Sequence, residues 1–108
     1  MEKTTEITEI LRELRQRLNS LYGQNLRQLI LYGSHARGDA TPDSDIDLLV
    51  VLGDFADADQ ELRRMSPAAS ELSLEHDVVI SLVVMRAREY AQRNTPLLLN
   101  VRREGIPV

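Results

Sequence analysis

The sequence predicts an α/β fold in which short buried strands alternate with amphipathic helices. Runs of branched apolar residues at positions 29–32 and 46–52 are bounded by Gly33 and Gly53, a pattern typical of buried strands. Elsewhere, apolar residues recur at spacings of three and four, which is the period of a helix face. With 108 residues and 43% hydrophobic content, we expect one globular domain, residues 1–108, with a modest core.

The first half of the chain supplies one predicted helix and two predicted strands. The amphipathic helix ends before Gly23, and its apolar positions are Ile7, Ile10, Leu11, Leu14, Leu18 and Leu21. The first strand begins near Leu26 and ends at Tyr32, and the second begins at Ile46. We interpret both as central strands of one sheet, joined by a short polar turn.

The second half continues with a helix, a third strand and two further helices. The helical period of residues 57–74 continues across Pro67, which removes one backbone hydrogen bond, so we expect one kinked helix. Residues 77–85 (DVVISLVVM) form the third predicted strand, and residues 86–92 form a short helix. A last helix starts at a Thr-Pro step, residues 95–96, and ends at a glycine.

Composition excludes several classes of function. The net charge is −4, so the chain lacks the basic field that holds long nucleic acid nonspecifically. It contains no cysteine, which excludes disulfides, thiolate catalysis and thiolate zinc sites, and leaves oxygen and imidazole as metal ligands. The polar N-terminus and the short apolar runs predict no membrane span. We therefore expect a cytoplasmic protein.

A Gly-Ser step and an Asp-Ile-Asp triplet lie at the adjoining ends of the first two predicted strands. Gly33 and Ser34 follow the first strand, and Asp45 and Asp47 begin the second. Alternate strand residues share a face, which places the two aspartate Cα atoms about 6 to 7 Å apart on one side of the sheet. Two carboxylates this close repel each other unless a cation or a proton lies between them, and oxygen ligands suit Mg²⁺ or Mn²⁺. The pair therefore predicts a metal site.

The turn after the first strand carries groups that bind phosphate. Gly33 has no Cβ, so its backbone can approach a bulky anion, and the Ser34 hydroxyl can donate to a phosphate oxygen. Arg37 is a further candidate for binding a nucleotide, and an ion pair with the nearby aspartates is the competing interpretation. A phosphate-binding turn beside a metal site predicts a nucleoside triphosphate as the ligand.

The stretch GSHARGDATPDSDID resembles the Gly-Ser, ten residues, Asp-x-Asp signature of minimal nucleotidyltransferases in the polymerase-beta superfamily. The resemblance covers nearly the whole chain and is densest over residues 29–52. It implies a mixed β-sheet flanked by helices, two Mg²⁺ ions on three carboxylates, and transfer of a nucleoside monophosphate from NTP to a hydroxyl with release of pyrophosphate. In this chain it assigns Gly33 and Ser34 to the triphosphate and Asp45 and Asp47 to the metals.

The resemblance also implies a third carboxylate on a later strand beside the first pair. Asp77 is the natural candidate, as a metal ligand or as the base that takes the acceptor's proton, because it opens the third predicted strand. The competing interpretation is a solvated turn residue, since Glu75 and His76 are adjacent polar residues. We expect both His35 and His76 to be exposed loop residues rather than ligands.

Similarity through the C-terminal TPLLLNVRREGI implies a narrower group, the antitoxins that act beside a HEPN-type RNase toxin. The implied reaction is transfer of AMP from ATP to a toxin tyrosine hydroxyl, where the added charge and bulk block the RNA site. Drug-modifying and RNA-modifying nucleotidyltransferases carry extra domains, so we expect the acceptor here to be small or to be a partner protein. Two alternatives stay open: an antitoxin that neutralises its partner by binding alone, and a nucleotidyltransferase that acts on a small molecule.

Residues 86–103 form a basic segment in an acidic protein, with five arginines against one glutamate. Each arginine taken singly is typical of a solvated helix face. As a cluster, they form a candidate surface for ATP phosphates or for an acidic partner.

Overall fold

The computed structural model describes the backbone of residues 3–108 and the side chains of residues 6–108. Its elements, in chain order, are α1 (Lys3–Tyr22), a 3-10 turn (Gly23–Asn25), β1 (Leu26–Tyr32), α2 (Ser34–Arg37), β2 (Ile46–Leu52), α3 (Ala58–His76), β3 (Ile80–Arg86), α4 (Ala87–Gln92), α5 (Pro96–Glu104) and β4 (Ile106–Pro107). The predicted helices and strands are found in the predicted order, and the structure adds α2 in place of the predicted turn, the 3-10 turn and β4.

Within the described residues, four strands form one mixed sheet in the order β3-β2-β1-β4. β1 runs antiparallel to β2 and to β4, whereas β2 and β3 are parallel and are connected through α3. The antiparallel pair brings the carboxyl end of β1 to the amino end of β2, and the parallel pair brings the amino end of β3 to the same edge. The predicted fold class, an α/β fold with a mixed sheet flanked by helices, is confirmed.

Strand β2 is buried on both faces of the sheet. On one face, here called the α1/α3 face, its even-numbered residues pack with side chains of α1 and α3, including Leu14. On the other, here called the α5 face, Leu49 and Val51 pack with Leu98 and Val101 of α5. A strand needs apolar residues where both of its faces are covered, which explains the continuous apolar run of residues 48–52 that follows Asp47 in β2.

Local capping groups define the helix starts. Asp57 precedes α3, and its carboxylate accepts from the Asp59 N–H at 3.0 Å. Thr95 precedes α5, and its hydroxyl accepts from the Leu98 N–H at 3.3 Å. Helix α3 continues across Pro67 as one helix, which confirms the predicted continuity, and the kink stays a prediction. No helix within residues 3–108 is long and apolar enough to span a membrane.

The third strand begins later than predicted. Asp77 is not its first residue but the C-cap of α3, directly after His76, with a φ of 53° in the left-handed region, and its N–H donates to the Ser73 carbonyl. Aspartate tolerates this conformation better than most residues, so α3 ends within the segment EHDVV, residues 75–79, and β3 begins after it. β3 then starts at Ile80.

Candidate active site

The site begins at Gly33, directly after β1. Its φ of 80° lies in the region that glycine adopts readily, and its carbonyl accepts from the N–H groups of Ala36 and Arg37 at 3.1 and 3.0 Å. Gly33 is therefore the N-cap of α2, and Ser34 is the first residue of this helix. The leading N–H groups of a helix have no helical partners, so Ser34 presents a hydroxyl and a backbone donor at one point.

Asp45 and Asp47 lie across from this turn. Tyr32, the last residue of β1, pairs with Asp47 in the antiparallel register of β1 and β2. Asp45 lies one residue before β2, and its spacing from Asp47 places both carboxylates on the same face. This is the α5 face, to which Leu49 also contributes. The structure therefore brings the Gly-Ser turn and the aspartate pair to one edge of the sheet.

Gly33 and Asp47 are in direct contact. A Cβ atom added to Gly33 would overlap Asp47 Oδ2, so a larger residue must displace either the carboxylate or the turn. The glycine is required for two reasons, its positive φ and this close approach. The turn and the second aspartate are consequently positioned together.

Burial and mutual repulsion raise the pKa of Asp47. The half-buried carboxyl loses hydration and the charge of Asp45 disfavours a second ionisation, while His35 and Arg37 act in the opposite direction. The pKa of Tyr32 is also raised, by its own burial and by the charge of Asp47. A divalent cation takes oxygen ligands and would relieve the repulsion between the aspartates, so these residues fit the predicted metal.

Arg37 is held by two carboxylates. Its Nε donates to Asp39 Oδ2 at 3.2 Å, and its Nη1 donates to Glu104 Oε2 at 3.2 Å. The Arg37 side chain is 47% exposed, so these ion pairs contribute little to stability by themselves. Arg37 therefore forms the ion pairs that the competing interpretation expected. To bind phosphate as well, its guanidinium would have to divide its N–H donors between these carboxylates and the phosphate oxygens.

Glu104 is a candidate functional residue that sequence reasoning missed. This last residue of α5 accepts a hydrogen bond from the Gly33 N–H at 2.8 Å in addition to those from Arg37. Its side chain is 17% exposed, whereas glutamates are mostly exposed. Gly33 and Glu104 are 71 positions apart, so no local sequence pattern indicates the contact.

The structure does not place Asp77 beside the aspartate pair in the sheet. The parallel register pairs Asp47 with Ser81, and the Ile46 N–H donates to the Val79 carbonyl at 2.8 Å. Asp77 lies further toward the amino end, exposed, at the junction of α3 and β3. The strand neighbour of Asp47 on β3 is thus a hydroxyl side chain and not a carboxylate.

Both histidines are less exposed than predicted. His35 is half-buried in α2, and its Nε2 lies 3.3 Å from the Ser44 carbonyl, which connects α2 to the turn before β2. His76 ends α3 with its side chain 13% exposed, 3.6 Å from Glu13 and 3.9 Å from Glu75. The expectation of exposed loop residues was wrong because both lie on helices that pack against other elements. The acidic group around His76 includes neither aspartate of the predicted metal site.

The basic segment is largely engaged within the protein. Arg86 lies over the Phe55 ring and donates to the Phe55 carbonyl at 2.9 Å. Arg102 donates to the carbonyls of Tyr90 and Arg93 at 2.5 and 2.8 Å. Because these two arginines connect α4 and α5 to their surroundings, they are poorly placed to form a phosphate-binding surface.

Comparison with known proteins decides the family. The nucleotidyltransferase domain family matches residues 11–101, which include the whole segment from the Gly-Ser turn to the aspartate pair. This chain belongs to the nucleotidyltransferase family. It is also 32% identical over 81 residues to a protein of Methanocaldococcus jannaschii named as a candidate protein adenylyltransferase, a match covering 75% of this chain and 81% of that protein. The protein is therefore a nucleotidyltransferase, and family membership implies the use of a nucleotide and a divalent metal ion.

Solved structures share the fold of this nucleotidyltransferase. A candidate minimal nucleotidyltransferase is 29% identical with a TM-score of 0.58, over 93% of this chain and 94% of that chain. An MNT antitoxin in complex with a tri-AMPylated HEPN toxin from Shewanella oneidensis matches with a TM-score of 0.58 and 21% identity, over 98% of this chain and 71% of the other. At that identity the second likeness shows the fold alone.

Proposed function

We propose that this nucleotidyltransferase transfers AMP from ATP to a tyrosine hydroxyl of a HEPN-type toxin, and so acts as an antitoxin. The observation that carries the proposal is the contact between Gly33 and Asp47, because it joins a phosphate-binding turn to a carboxylate pair. The relative named as a candidate adenylyltransferase supports AMP as the transferred group. The AMPylated HEPN toxin, held by an antitoxin of the same fold, supports the class of acceptor.

In the proposed reaction the tyrosine oxygen attacks the α-phosphorus of ATP. The bond between that phosphorus and the bridging oxygen of the β-phosphate breaks, pyrophosphate leaves, and the hydroxyl proton passes to a carboxylate of the site. Gly33, which has no Cβ, leaves room for the triphosphate beside the turn, and the Ser34 hydroxyl donates to it. Asp45 and Asp47 would hold Mg²⁺. The chemistry that two bound Mg²⁺ ions would supply is neutralisation of the negative charge on the phosphate oxygens.

Asp77 is our proposal for the third carboxylate, as a ligand or as the proton acceptor. Its support is topological, since β2 and β3 are parallel and Asp77 precedes β3 at the edge where Asp45 and Asp47 lie. Ser81, the strand neighbour of Asp47, has no carboxylate to serve in its place.

Arg37 is our proposal for a further nucleotide ligand. Its guanidinium has five N–H donors, and Asp39 and Glu104 engage only the Nε and Nη1 groups in the contacts described. A half-exposed guanidinium held beside the Gly-Ser turn can therefore donate to a phosphate oxygen without leaving its carboxylate partners.

The test uses ATP labelled at either the α- or the γ-phosphate, with Mg²⁺ and the product of the neighbouring gene as the candidate toxin. We expect the α-label, and not the γ-label, to appear on a toxin tyrosine and to be absent with the Asp45→Asn/Asp47→Asn variant. Transfer of the γ-label would contradict adenylylation. If wild type and variant silence the toxin equally and no label appears on it, the protein neutralises its partner by binding alone. If the label appears on a small molecule instead, the acceptor is that molecule and not the toxin.

A further inference from the structure

We propose that Glu104 is a positioning residue of the nucleotide site, and that its carboxylate fixes the Gly33 backbone and the Arg37 side chain. The proposal rests on the proposed function to the extent that a nucleotide binds at the Gly-Ser turn. Glu104 lies outside the Gly-Ser and Asp-x-Asp signature and is contributed by the last helix of the chain.

The Glu104 carboxylate accepts from two donors, the Gly33 N–H in the Gly-Ser turn and the Arg37 side chain in the short helix that follows it. Glu104 Oε2 accepts from the Gly33 N–H at 2.8 Å and from Arg37 Nη1 at 3.2 Å, and Oε1 lies 3.4 Å from the same Nη1. A hydrogen bond from a backbone N–H to an ionised carboxylate is stronger than one between neutral groups. The contact is part-buried, so removing the carboxylate leaves the Gly33 N–H without its partner where water replaces it poorly.

The helix end that presents Glu104 is itself anchored to β1. The Gly105 N–H donates to the Val101 carbonyl at 2.7 Å, and a Cβ on Gly105 would overlap that carbonyl and the Ile30 side chain. Strand β4, immediately after, pairs Ile106 with Leu31. The Glu104 backbone is thus held against the strand that leads directly into Gly33.

The contacts form a short series from α5 to the metal ligands. Glu104 holds the N–H of Gly33, and Gly33 touches the carboxylate of Asp47. A shift of the Glu104 carboxylate therefore moves the turn and the second aspartate together, and misplacement of about 1 Å can slow a reaction by roughly 100-fold.

A different role for the same contacts is competition, in which Glu104 occupies donors that a triphosphate would otherwise take. The anchored helix end argues against it. For Glu104 to leave, it would have to break the 2.8 Å bond to Gly33 while Gly105 and β4 hold its backbone in place. The two roles predict opposite changes in KM for ATP.

The experiment compares Glu104→Ala and Glu104→Gln with Glu89→Gln as a matched control. Glu89 is also a helical glutamate that pairs with arginines, has a side chain 19% exposed, and accepts from a backbone N–H, that of Arg86 at 3.0 Å, but does not contact the turn. Three quantities are measured: KM and kcat for transfer, hydrogen exchange of the Gly33 amide by NMR, and the melting temperature.

We expect Glu104→Ala to raise KM for ATP by about 10- to 100-fold, the effect of losing a hydrogen bond to a charged group, and to speed Gly33 amide exchange by at least about tenfold. Glu104→Gln should recover much of both effects, because its amide oxygen still accepts from Gly33. Glu89→Gln should change neither KM nor Gly33 exchange.

Three outcomes would overturn the proposal: an unchanged Gly33 amide in Glu104→Ala, a lower KM for ATP in either Glu104 variant, or equal losses of melting temperature and rate in the Glu104 and Glu89 variants. Gly33 exchange needs no turnover. If wild type transfers no AMP, the proposed function fails while the exchange measurement still tests the Glu104 contact.

Discussion

On the α1/α3 face of the sheet, β2 meets helices of 20 and 19 residues, whereas on the α5 face it meets a helix of nine residues and side chains of α4. The long helices cover the α1/α3 face as far as Ile46, which is fully buried. The shorter cover on the α5 face leaves Asp47 half-buried and Asp45 exposed at the same end of the strand.

Under the proposed function, one strand serves both stability and chemistry. Because side chains alternate along a strand, Ile46 and Leu48 enter the α1/α3 core while Asp45 and Asp47 face the open side. Substitutions on the two faces should therefore separate loss of stability from loss of activity. The variants below are ordered by the size of the expected effect.

The double substitution Asp45→Asn/Asp47→Asn should have the largest effect and should abolish transfer. Without metal, stability should hold or rise, because the mutual repulsion and the burial that raise the pKa of Asp47 no longer act on charged groups. Transfer rate and urea unfolding with chelator measure the two quantities. Transfer at an undiminished rate would show that the aspartates hold no metal.

Asp77→Asn tests the junction of α3 and β3, at the edge of the sheet where Asp45 and Asp47, the proposed metal ligands, lie. If Asp77 is the third carboxylate, its loss should lower the transfer rate by roughly 10²- to 10⁴-fold, which is typical of a lost general base, and should affect ATP binding less. Asparagine also tolerates the left-handed conformation found at this position, so the fold should persist. If Asp77 is only a helix terminus, the rate stays unchanged and stability shifts by no more than about 0.5 kcal/mol.

Leu14→Ala and Leu98→Ala form a matched pair of fully buried leucines, one on each face of the sheet. Each should destabilise the fold by about 2 to 5 kcal/mol through lost burial and a cavity. Only Leu98→Ala should also raise KM for ATP, because it loosens the helix that presents Glu104 to Gly33. Kinetics on the folded fraction below the unfolding transition make the comparison. Equal effects on KM would show that the faces are not functionally distinct.

Many elements on both faces of the sheet could be predicted from the sequence because their signals are local. The helical spacing of α1, the continuous apolar run of β2 and the Thr-Pro start of α5 each reflect a single element's own geometry. The Gly-Ser and Asp-x-Asp spacing also predicted which strand ends meet, and the pairing of Tyr32 with Asp47 confirms this.

The remainder depends on contacts between distant residues. The sequence around Asp77 is compatible with the start of a strand and with the end of a helix. The hydrogen bond from the Asp77 N–H to the Ser73 carbonyl shows that it caps the end of a helix. Glu104 reaches Gly33 because α5 ends beside β1, against which β4 then pairs. No spacing or propensity in one segment indicates such a contact, so it required the tertiary structure.

Ser34→Ala probes the turn on the active side with a smaller expected change. Removing one hydroxyl that donates to a charged phosphate should reduce nucleotide binding by about 1.5 to 3 kcal/mol. Ser34 is half-buried at the start of a short helix, so alanine should leave the fold intact. Calorimetric ATP binding, with the melting temperature as control, measures this. Unchanged affinity would remove Ser34 from the phosphate site.

Tyr22→Phe should have the smallest effect, and it tests whether a titrating group on the α1/α3 side affects stability alone. The Tyr22 hydroxyl donates to Glu61 Oε1 at 2.8 Å, and burial followed by this bond raises the pKa of Tyr22 to about 12. Since that value exceeds the unfolded one of about 10, the stabilisation is complete below pH 10 and is lost as pH rises through about 12. The variant should lose about 0.5 to 1.5 kcal/mol at neutral pH and should lose less further stability than wild type between pH 10 and 12. Urea unfolding of both proteins between pH 10 and 12 measures this difference. Equal losses of unfolding free energy in the two proteins over this range, or a slower transfer rate of the variant at neutral pH, would contradict the separation of the two faces.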